Sequence, residues 1–269
     1  MSPMSQILNS FWLKGSLVHI LISNDDGYDA PGLMVLADAL KQQHHKVTVV
    51  APKENKSGCG MGLSLRRSID VEQLSEGSFV VDGTPADCVY IGLNNLSDEP
   101  VDLVVSGINN GPNLADDILY SGTFAAAMEA RRMNMPSIAL SITERDVQHY
   151  GTAAYIAVQM ANALPSLNYR SLLAVLNINV PDVPVASIRG FKATVLGQRE
   201  APLPPIKQTS SGDKATYTLG PAGGFRPVKR NKMQDFEAVH QGFASITPLS
   251  SQFEDSAYVD DVQAWLDNL

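Results

Sequence analysis

The sequence predicts an α/β protein built around a mostly parallel sheet with helices on both faces. Apolar, Val- and Ile-rich runs end in clusters of Gly, Asn, Asp and Ser, and helical patterns lie between these runs. Strands that alternate with helices every few dozen residues are typical of βαβ units, whose crossover helices cover the sheet. With 269 residues, the chain is long enough for one large domain of this kind.

The first three elements follow from their apolar patterns. The run from His19 to Ser23 predicts a strand, and KVTVVAP, from Lys46 to Pro52, predicts a second one. Between them, the segment from Pro31 to Gln43 carries apolar residues at positions 33, 36, 37 and 40, which is a helical spacing. Pro31 suits the first turn of this helix, where the missing N–H costs nothing.

The middle of the chain continues the alternation. FVVDGTPADCVYIGLNNL predicts a strand, a turn and a helix that begins near Thr84, with Pro85 just inside it. VDLVVSGINNGPN predicts a strand and a loop, and SGTFAAAMEARRM, from Ser121 to Met133, predicts an Ala-rich helix. PSIALSI predicts another strand, GTAAYIAVQMANALPSL another helix, and LLAVLNINVP a further strand.

The two ends of the chain differ from this core. We expect residues 1–17 to form a flexible extension, because they combine a single Lys with no small-residue cleavage site and so match a signal peptide poorly. Beyond Pro181, many Pro and Gly residues and short segments such as KATYTL predict hairpins or an arm. FASITPL predicts one more strand, and SAYVDDVQAWLDNL predicts a closing helix capped near Ser256. We therefore place the core in residues 18–180, and the arm, returning strand and closing helix of the same domain in residues 181–269.

The composition excludes several functional classes. Asp and Glu total 28 against 20 for Lys and Arg, so the net charge of −8 argues against a partner such as a nucleic-acid polymer or an anionic membrane. No apolar run approaches the ~20 residues that a membrane span needs. Cys59 and Cys88 lie in neither a CxxC nor a zinc spacing, and we expect two reduced thiols in a cytoplasmic protein.

Polar loops follow several of the predicted strands. Ligands bind beyond the carboxyl ends of the strands in open parallel sheets, so these loops should share one rim. Their residues include Asn24, Asp25, Asp26 and Gly27 after the first strand, Lys53, Asn55, Lys56 and Ser57 after the second, Ser106, Asn109, Asn110 and Asn113 around the fourth, and Ser121, Gly122 and Thr123 at a helix start.

The chemistry of this rim indicates phosphoryl hydrolysis. Adjacent carboxylates with hydroxyl and amide oxygens are hard ligands that suit Mg²⁺, Mn²⁺ or Ca²⁺. The helix start at Ser121 offers free N–H groups to a phosphate, and a metal beside bound phosphate can activate water. Each piece alone is weak: Asp25-Asp26-Gly27 is about equally typical of a plain turn, and Ser121 of a simple helix cap.

Two alternatives remain at this point. The same rim could belong to a non-catalytic protein that binds nucleotides or metal. A nicotinamide dehydrogenase is disfavoured, because the third glycine of GCGMGL is Gly62, one position too early for GxGxxG. GxxxxGK[ST] and GxSxG are absent from the sequence, which excludes P-loop and nucleophile-elbow sites.

Taken together and in order, these motifs resemble the SurE family, the survival protein E 5′-nucleotidases. SNDDG…APG, AP…N.SG, GTPADCVY, VVSGIN.GPN and YSGT.AAAMEA match from Val18 to about Arg132, and LNINVP and SITPL extend the likeness. The resemblance implies a Rossmann-like three-layer core and a C-terminal β-hairpin arm exchanged between subunits, which gives a cytoplasmic homodimer or homotetramer.

The resemblance also implies the chemistry of the site. One divalent ion per subunit, Mg²⁺ or Mn²⁺, would be held by Asp25, Asp26, Ser57 and Asn109. Asp25 and Asp26 would be the catalytic pair, with Asp26 our choice to orient the attacking water. We expect Asn113 and the helix start at Ser121, Gly122 and Thr123 to bind the phosphate. The implied substrate is a nucleoside 5′-monophosphate, and the family's side activities extend to 3′-monophosphates and short polyphosphate.

Two features depart from the family pattern. Family members usually begin near the position of Val18, which suggests a GTG start codon there, and Met61 stands where an Asn is usual. The Met61 departure leaves the predicted ligand Ser57 in place, but it bears on the range of substrates and on the mobility of this loop.

We predict that deleting residues 1–17 leaves nucleotidase activity and melting temperature unchanged. Phosphate-release and thermal-unfolding measurements would show this, and a large loss of either would contradict it.

Overall fold

The computed structural model describes residues 17–164, 174–211, 214–220, 222–251 and 259–266. The predicted extension, apart from Leu17, and the predicted cap at Ser256 lie outside these ranges. The division into a core of residues 18–180 and a C-terminal part of residues 181–269 stays a prediction.

Within these ranges, nine strands form one sheet in the order β3-β4-β2-β1-β5-β6-β7-β11-β8. The six strands from β4 to β7 in that order run parallel, whereas β3 pairs antiparallel with β4 and β11 pairs antiparallel with β7. The remaining two strands form a separate antiparallel hairpin. The strands are β1 (His19–Ser23), β2 (Lys46–Pro52), β3 (Val71–Ser75), β4 (Ser78–Val81), β5 (Leu103–Asn110), β6 (Ser137–Ile142), β7 (Val175–Val180), β8 (Phe191–Ala193), β9 (Ile206–Ser211), β10 (Lys214–Thr218) and β11 (Ala244–Leu249).

Four of the six described α-helices connect parallel strands, as the alternating pattern predicts, and the other two lie before and after β11. Short 3₁₀ turns, Ala115–Leu119 and Val185–Ser187, and a π-helical turn, Gly92–Leu96, supplement them. The α-helices are α1 (Pro31–Gln42), α2 (Pro85–Ile91), α3 (Gly122–Arg132), α4 (Tyr150–Ala163), α5 (Asp235–His240) and α6 (Val259–Leu266).

The central strand β1 is buried on both faces. Ile20 and Ile22 pack in one apolar cluster with Leu36 of α1, whereas Leu21 packs in another with Val89 of α2. Successive side chains of a strand point to opposite faces, so the two clusters mark a helical layer on each side of the sheet. This is the three-layer α/β arrangement that the sequence predicts, and it holds the carboxyl end of β1 in a fixed position.

The C-terminal part returns to the sheet and also extends from it. Strand β11 pairs with β7, while β9 and β10 pair with each other as a separate two-stranded hairpin. Helix α6 buries none of its described residues, and its apolar side chains Val259, Val262 and Trp265 are exposed. The hairpin is the predicted one, and its exchange between subunits stays a prediction.

Helix α2 begins with a capping box. The hydroxyl of Thr84 accepts the N–H of Asp87 at 3.1 Å, and the carboxylate of Asp87 accepts the N–H of Thr84 at 2.8 Å. The Thr84 hydroxyl also donates to the carbonyl of Gly62 at 2.8 Å, which ties the helix to the loop after β2. The sequence predicts this cap, and the structure confirms it.

Replacing Thr84 with alanine is expected to lower the free energy of unfolding by about 1–2 kcal/mol, because the variant loses the hydroxyl that accepts the Asp87 N–H and donates to the Gly62 carbonyl. Urea unfolding followed by circular dichroism would measure the change. The neighbouring Ser68→Ala, at an exposed loop position, is the control and should change stability by less than about 0.5 kcal/mol. Equal stabilities of the Thr84 variant and the wild type would contradict the role of the cap.

Both cysteines are free thiols, as the sequence predicts. Among the described residues, no helix combines the length and apolar character needed to cross a membrane.

Candidate active site

The polar loops predicted to share a rim lie together at the carboxyl edge of the sheet. Ser23 at the end of β1 is in register with Ser106 of β5, and β2 lies on the other side of β1. The backbone N–H of Lys56 donates to the carbonyl of Asp25 at 2.7 Å, which fastens the loop after β2 to the end of β1. Gly27 turns the chain at a φ of +106°, a conformation that favours glycine.

A cavity of about 590 Å³ opens at this edge. Six of the eight predicted site residues line it: Asp25, Asp26, Ser57, Asn109, Asn113 and Ser121. The other two, Gly122 and Thr123, are buried behind Asp25 in the first turn of α3. The structure therefore brings the predicted set together from the loops after β1 and β2, the end of β5 with the loop that follows it, and the start of α3.

Asp25 is 3% exposed and is held by the start of α3. Its Oδ1 accepts the hydroxyl of Thr123 at 2.5 Å, and a Cβ at Gly122 would lie 2.7 Å from the Asp25 Cβ. Burial raises the pKa of this carboxyl, although the hydrogen bond from Thr123 and the nearby backbone amides oppose the rise. The Thr123 hydroxyl thus positions Asp25 in this structure, and its predicted contact with phosphate stays a prediction.

Asp26 faces the cavity beside Asp25 and is only half-buried. Its Oδ2 accepts the backbone N–H of Asn110 at 3.1 Å. Burial raises the pKa of Asp26 to about 6, and the charge of Asp25 adds to the rise, while the Asn110 N–H opposes it. A carboxyl group with a pKa of about 6 can exchange a proton near neutral pH.

The raised pKa of Asp26 predicts how stability varies with pH in the metal-free protein. An unfolded aspartate releases its proton near pH 4, whereas folded Asp26 keeps it until about pH 6. Between these values the folded state binds more protons, so the free energy of unfolding falls as pH rises from about 4 to 6. In EDTA, the melting temperature of the Asp26→Asn variant should fall less over this interval than that of the wild type.

Asp29→Asn, at an exposed position three residues away, is the matched control and should keep the wild-type slope. The same pH slope in the Asp26 variant and the wild type would show that Asp26 does not titrate in this range.

Ser57 and Asn109 flank the two carboxylates. Ser57 is exposed, and its backbone N–H donates to Oδ1 of Asn55 at 2.8 Å. The side-chain Nδ2 of Asn109 donates to the carbonyl of Gly111 at 2.8 Å, which leaves the amide oxygen as the atom available to a ligand.

Asn113 is held by a buried polar network. Its N–H donates to Oδ1 of Asn179 at 2.8 Å, and its carbonyl accepts Nδ2 of Asn177 at 2.9 Å and of Asn179 at 3.0 Å. Its own Nδ2 donates to the hydroxyl of Ser141 at 2.8 Å. Residues of β6 and β7 therefore hold Asn113 at the cavity wall.

Ser121 caps helix α3 and also lines the cavity. Its hydroxyl accepts the N–H of Phe124 at 3.0 Å, so the simple helix-cap interpretation is correct for this residue. The backbone amides of Gly122 and Thr123 already interact with the carboxylate of Asp25, so the hydroxyl proton of Ser121 is the donor that this turn offers to an anion. Phosphate binding at Ser121 and Gly122 stays a prediction.

Sequence reasoning missed several residues of the cavity wall. Arg145 follows β6, and applying the carboxyl-end rule to that strand would have found it. Tyr120, 69% exposed, precedes the cap of α3. Arg199 and Asp117 form a two-bond ion pair at 2.7 and 2.6 Å across 82 residues, and local sequence carries no signal for such a pair.

The donor set fits a hard divalent cation. Two carboxylates, one amide oxygen and one hydroxyl are oxygen ligands of the kind that Mg²⁺ and Mn²⁺ prefer. The structure packs Asp25 and Asp26 side by side, and the charge of one raises the pKa of the other. A cation between them would offset this repulsion. Among the described residues, groups of three or more His, Cys, Asp or Glu able to hold a metal are absent, so the fit rests on neutral oxygens beside the two aspartates.

Known proteins match this chain over most of its length. The family model described as "Survival protein SurE" matches residues 20–202. The chain belongs to the SurE family. The SurE-family protein of Legionella pneumophila strain Philadelphia 1, named 5′-nucleotidase SurE, is 46% identical over 235 residues, which cover 86% of this chain and 90% of that protein.

Two further relatives extend this likeness. The SurE protein of Photorhabdus laumondii, named a 5′/3′-nucleotidase, is 44% identical over 253 residues, 93% of this chain and 96% of that protein. The crystal structure of the SurE protein of Aquifex aeolicus superposes with a TM-score of 0.79 at 35% identity, and the match covers 93% of this chain and all of that one. The predicted family and fold class are therefore confirmed.

Proposed function

We propose that this SurE-family protein is a divalent-metal-dependent phosphomonoesterase that hydrolyses nucleoside 5′-monophosphates to nucleoside and phosphate. The names of its relatives support a 5′-nucleotidase enzyme. The observation that carries the proposal is the pair Asp25 and Asp26, which lie at the wall of a cavity beside the start of a helix. The dependence on a divalent metal is part of this proposal. So is a wider substrate range that includes nucleoside 3′-monophosphates and short polyphosphate.

We assign a separate role in this reaction to each group of site residues. Asp25, Asp26, Ser57 and Asn109 would hold one Mg²⁺ or Mn²⁺ ion. When bound, this ion supplies charge that polarises the phosphoryl oxygens and activates a water. Thr123 keeps the Asp25 carboxylate in place through its 2.5 Å hydrogen bond. Asp26, which faces the cavity beside Asp25, would orient the water and accept its proton.

The phosphate would be bound by neutral residues of the cavity wall beside the carboxylates. The fixed amide of Asn113 and the first turn of α3 at Ser121 and Gly122 supply neutral donors that gain strength as negative charge develops on the phosphoryl oxygens.

The test is phosphate release from AMP by the purified full chain with Mg²⁺ or Mn²⁺ and with EDTA. We expect turnover with metal and its loss in EDTA, with recovery when metal is restored. Equal phosphate release in EDTA, where neither metal is available, would overturn the proposal. A non-catalytic nucleotide-binding protein would instead bind AMP without turnover in a binding titration.

Assembly is part of the same proposal. The exposed apolar side chains of α6 and the separate β9–β10 hairpin support a homodimer or homotetramer formed through the C-terminal arm. The cytoplasm is the proposed location of this assembly. Light scattering of the wild type and of Trp265→Ser should show a smaller assembly for the variant, and a monomeric wild type would exclude this arrangement.

A further inference from the structure

The charged side chains that line the cavity differ in whether other residues already pair with them. Three carboxylates, Asp25, Asp26 and Asp117, and two guanidinium groups, Arg145 and Arg199, contribute to the wall. A phosphomonoester carries about two negative charges near neutral pH. An anion of this kind is admitted only where positive charge offsets the carboxylates, so the state of each arginine decides how the cavity receives it.

Arg199 is already engaged. Its Nε and Nη2 donate to the carboxylate of Asp117 at 2.7 and 2.6 Å, and its Nη1 donates to the carbonyl of Gly223 at 2.9 Å. Its guanidinium also lies 4.9 Å from the ring centroid of Phe236. The charge of Arg199 is therefore neutralised by Asp117, and its donors connect the C-terminal part of the chain to the rim.

Arg145 differs from Arg199 in its exposure and in its partners. It is exposed in the loop after β6, and among the described residues its guanidinium has no hydrogen-bond or ion-pair partner. Glu144 and Asp146 are its neighbours in sequence, yet neither pairs with it. Its Cγ lies 3.6 Å from the position that a Cβ at Gly111 would occupy, so the side chain lies over the turn that follows β5.

We propose that Arg145 binds the phosphoryl group of the substrate, so that the cavity binds phosphorylated nucleosides more tightly than free ones. This inference rests on the proposed function. With a divalent cation offsetting Asp25 and Asp26, and Asp117 offsetting Arg199, Arg145 is the cavity charge that an incoming dianion can pair with. Its planar fork can donate two hydrogen bonds to phosphoryl oxygens, whereas lysine offers only a point charge.

The experiment compares Arg145→Gln and Arg145→Lys with wild-type full chain. We expect Arg145→Gln to raise KM for AMP about 10-fold or more, as the loss of a charge-assisted contact implies, with kcat within about threefold. Arg145→Lys should recover part of the loss. The control is Arg226→Gln, an exposed arginine outside the cavity, which should behave as wild type.

Two inhibitors separate phosphate recognition from a structural role. In Arg145→Gln, inorganic phosphate should inhibit about 10-fold more weakly, while adenosine, which lacks the phosphate, should inhibit as in the wild type. An unchanged KM in an active Arg145→Gln enzyme, or equal weakening of both inhibitors, would overturn the role of Arg145 alone. A wild type that releases no phosphate would overturn the proposed function, and with it this inference.

Discussion

Replacing Asp25 with asparagine is expected to lower the rate of phosphate release from AMP by about 1,000-fold or more, while the fold is retained. Asparagine has nearly the shape of aspartate, so it can still accept the Thr123 hydroxyl that approaches Oδ1 at 2.5 Å. It lacks the negative charge that would hold a divalent cation in the cavity. A 1,000-fold loss corresponds to about 4 kcal/mol of transition-state stabilisation.

Three measurements distinguish lost metal binding from lost structure. Steady-state phosphate release gives the rate, isothermal titration with Mn²⁺ gives the affinity for metal, and thermal unfolding in EDTA gives the stability of the fold. Because burial raises the pKa of Asp25, its charge opposes folding in the metal-free protein. The asparagine variant should therefore melt no lower than the wild type in EDTA.

The control for Asp25→Asn is the same change at Asp29, an exposed aspartate of the same loop that does not line the cavity. Asp29→Asn should keep wild-type turnover and metal affinity. An Asp25→Asn enzyme with more than a tenth of the wild-type rate would remove Asp25 from the proposed site.

Local patterns in the sequence were sufficient to predict most of the sheet. The buried parallel strands are continuous apolar runs bounded by polar loops, so β1, β2, β5 and β6 could be located from composition alone. Strand β3 was not predicted, because all five of its residues are exposed at the edge of the sheet and it carries no apolar run. Its position depends on antiparallel pairing with β4, which is a tertiary contact.

The candidate site shows the same limit. Asp25 and Asp26 could be predicted because a parallel strand delivers its last residues to the ligand-binding edge. Thr123 was predicted to bind phosphate as part of the helix start; that stays a prediction, and what the sequence did not indicate is that its hydroxyl donates to Asp25, a residue 98 positions earlier in the chain. No local pattern determines which acceptor a hydroxyl will choose, since the packing of the start of α3 against Asp25, in the loop after β1, decides it.

This packing makes Gly122→Ala the second change with a large expected effect. A Cβ at position 122 would lie 2.7 Å from the Cβ and 2.9 Å from Oδ2 of Asp25, closer than such atoms approach in folded proteins. Asp25 is buried and hydrogen-bonded, so it has little room to move away, and either the carboxylate or the start of α3 must shift. Because a displacement of about 1 Å in a catalytic group can cost about 100-fold in rate, we expect a loss of that order.

The stability of the Gly122→Ala variant should fall by about 1–3 kcal/mol, as for other overpacked sites. Gly151→Ala is the matched control, because Gly151 also lies in the first turn of a helix, α4, and an added Cβ there meets no atom within 4 Å. It should keep wild-type activity and raise the free energy of unfolding by about 0.5–1 kcal/mol, since alanine loses less backbone entropy on folding. Activity assays and urea unfolding of the two variants would separate the general cost of filling a helical glycine from its consequence for Asp25. If Gly122→Ala keeps full activity, the contact between α3 and Asp25 does not set the geometry of the catalytic carboxylate.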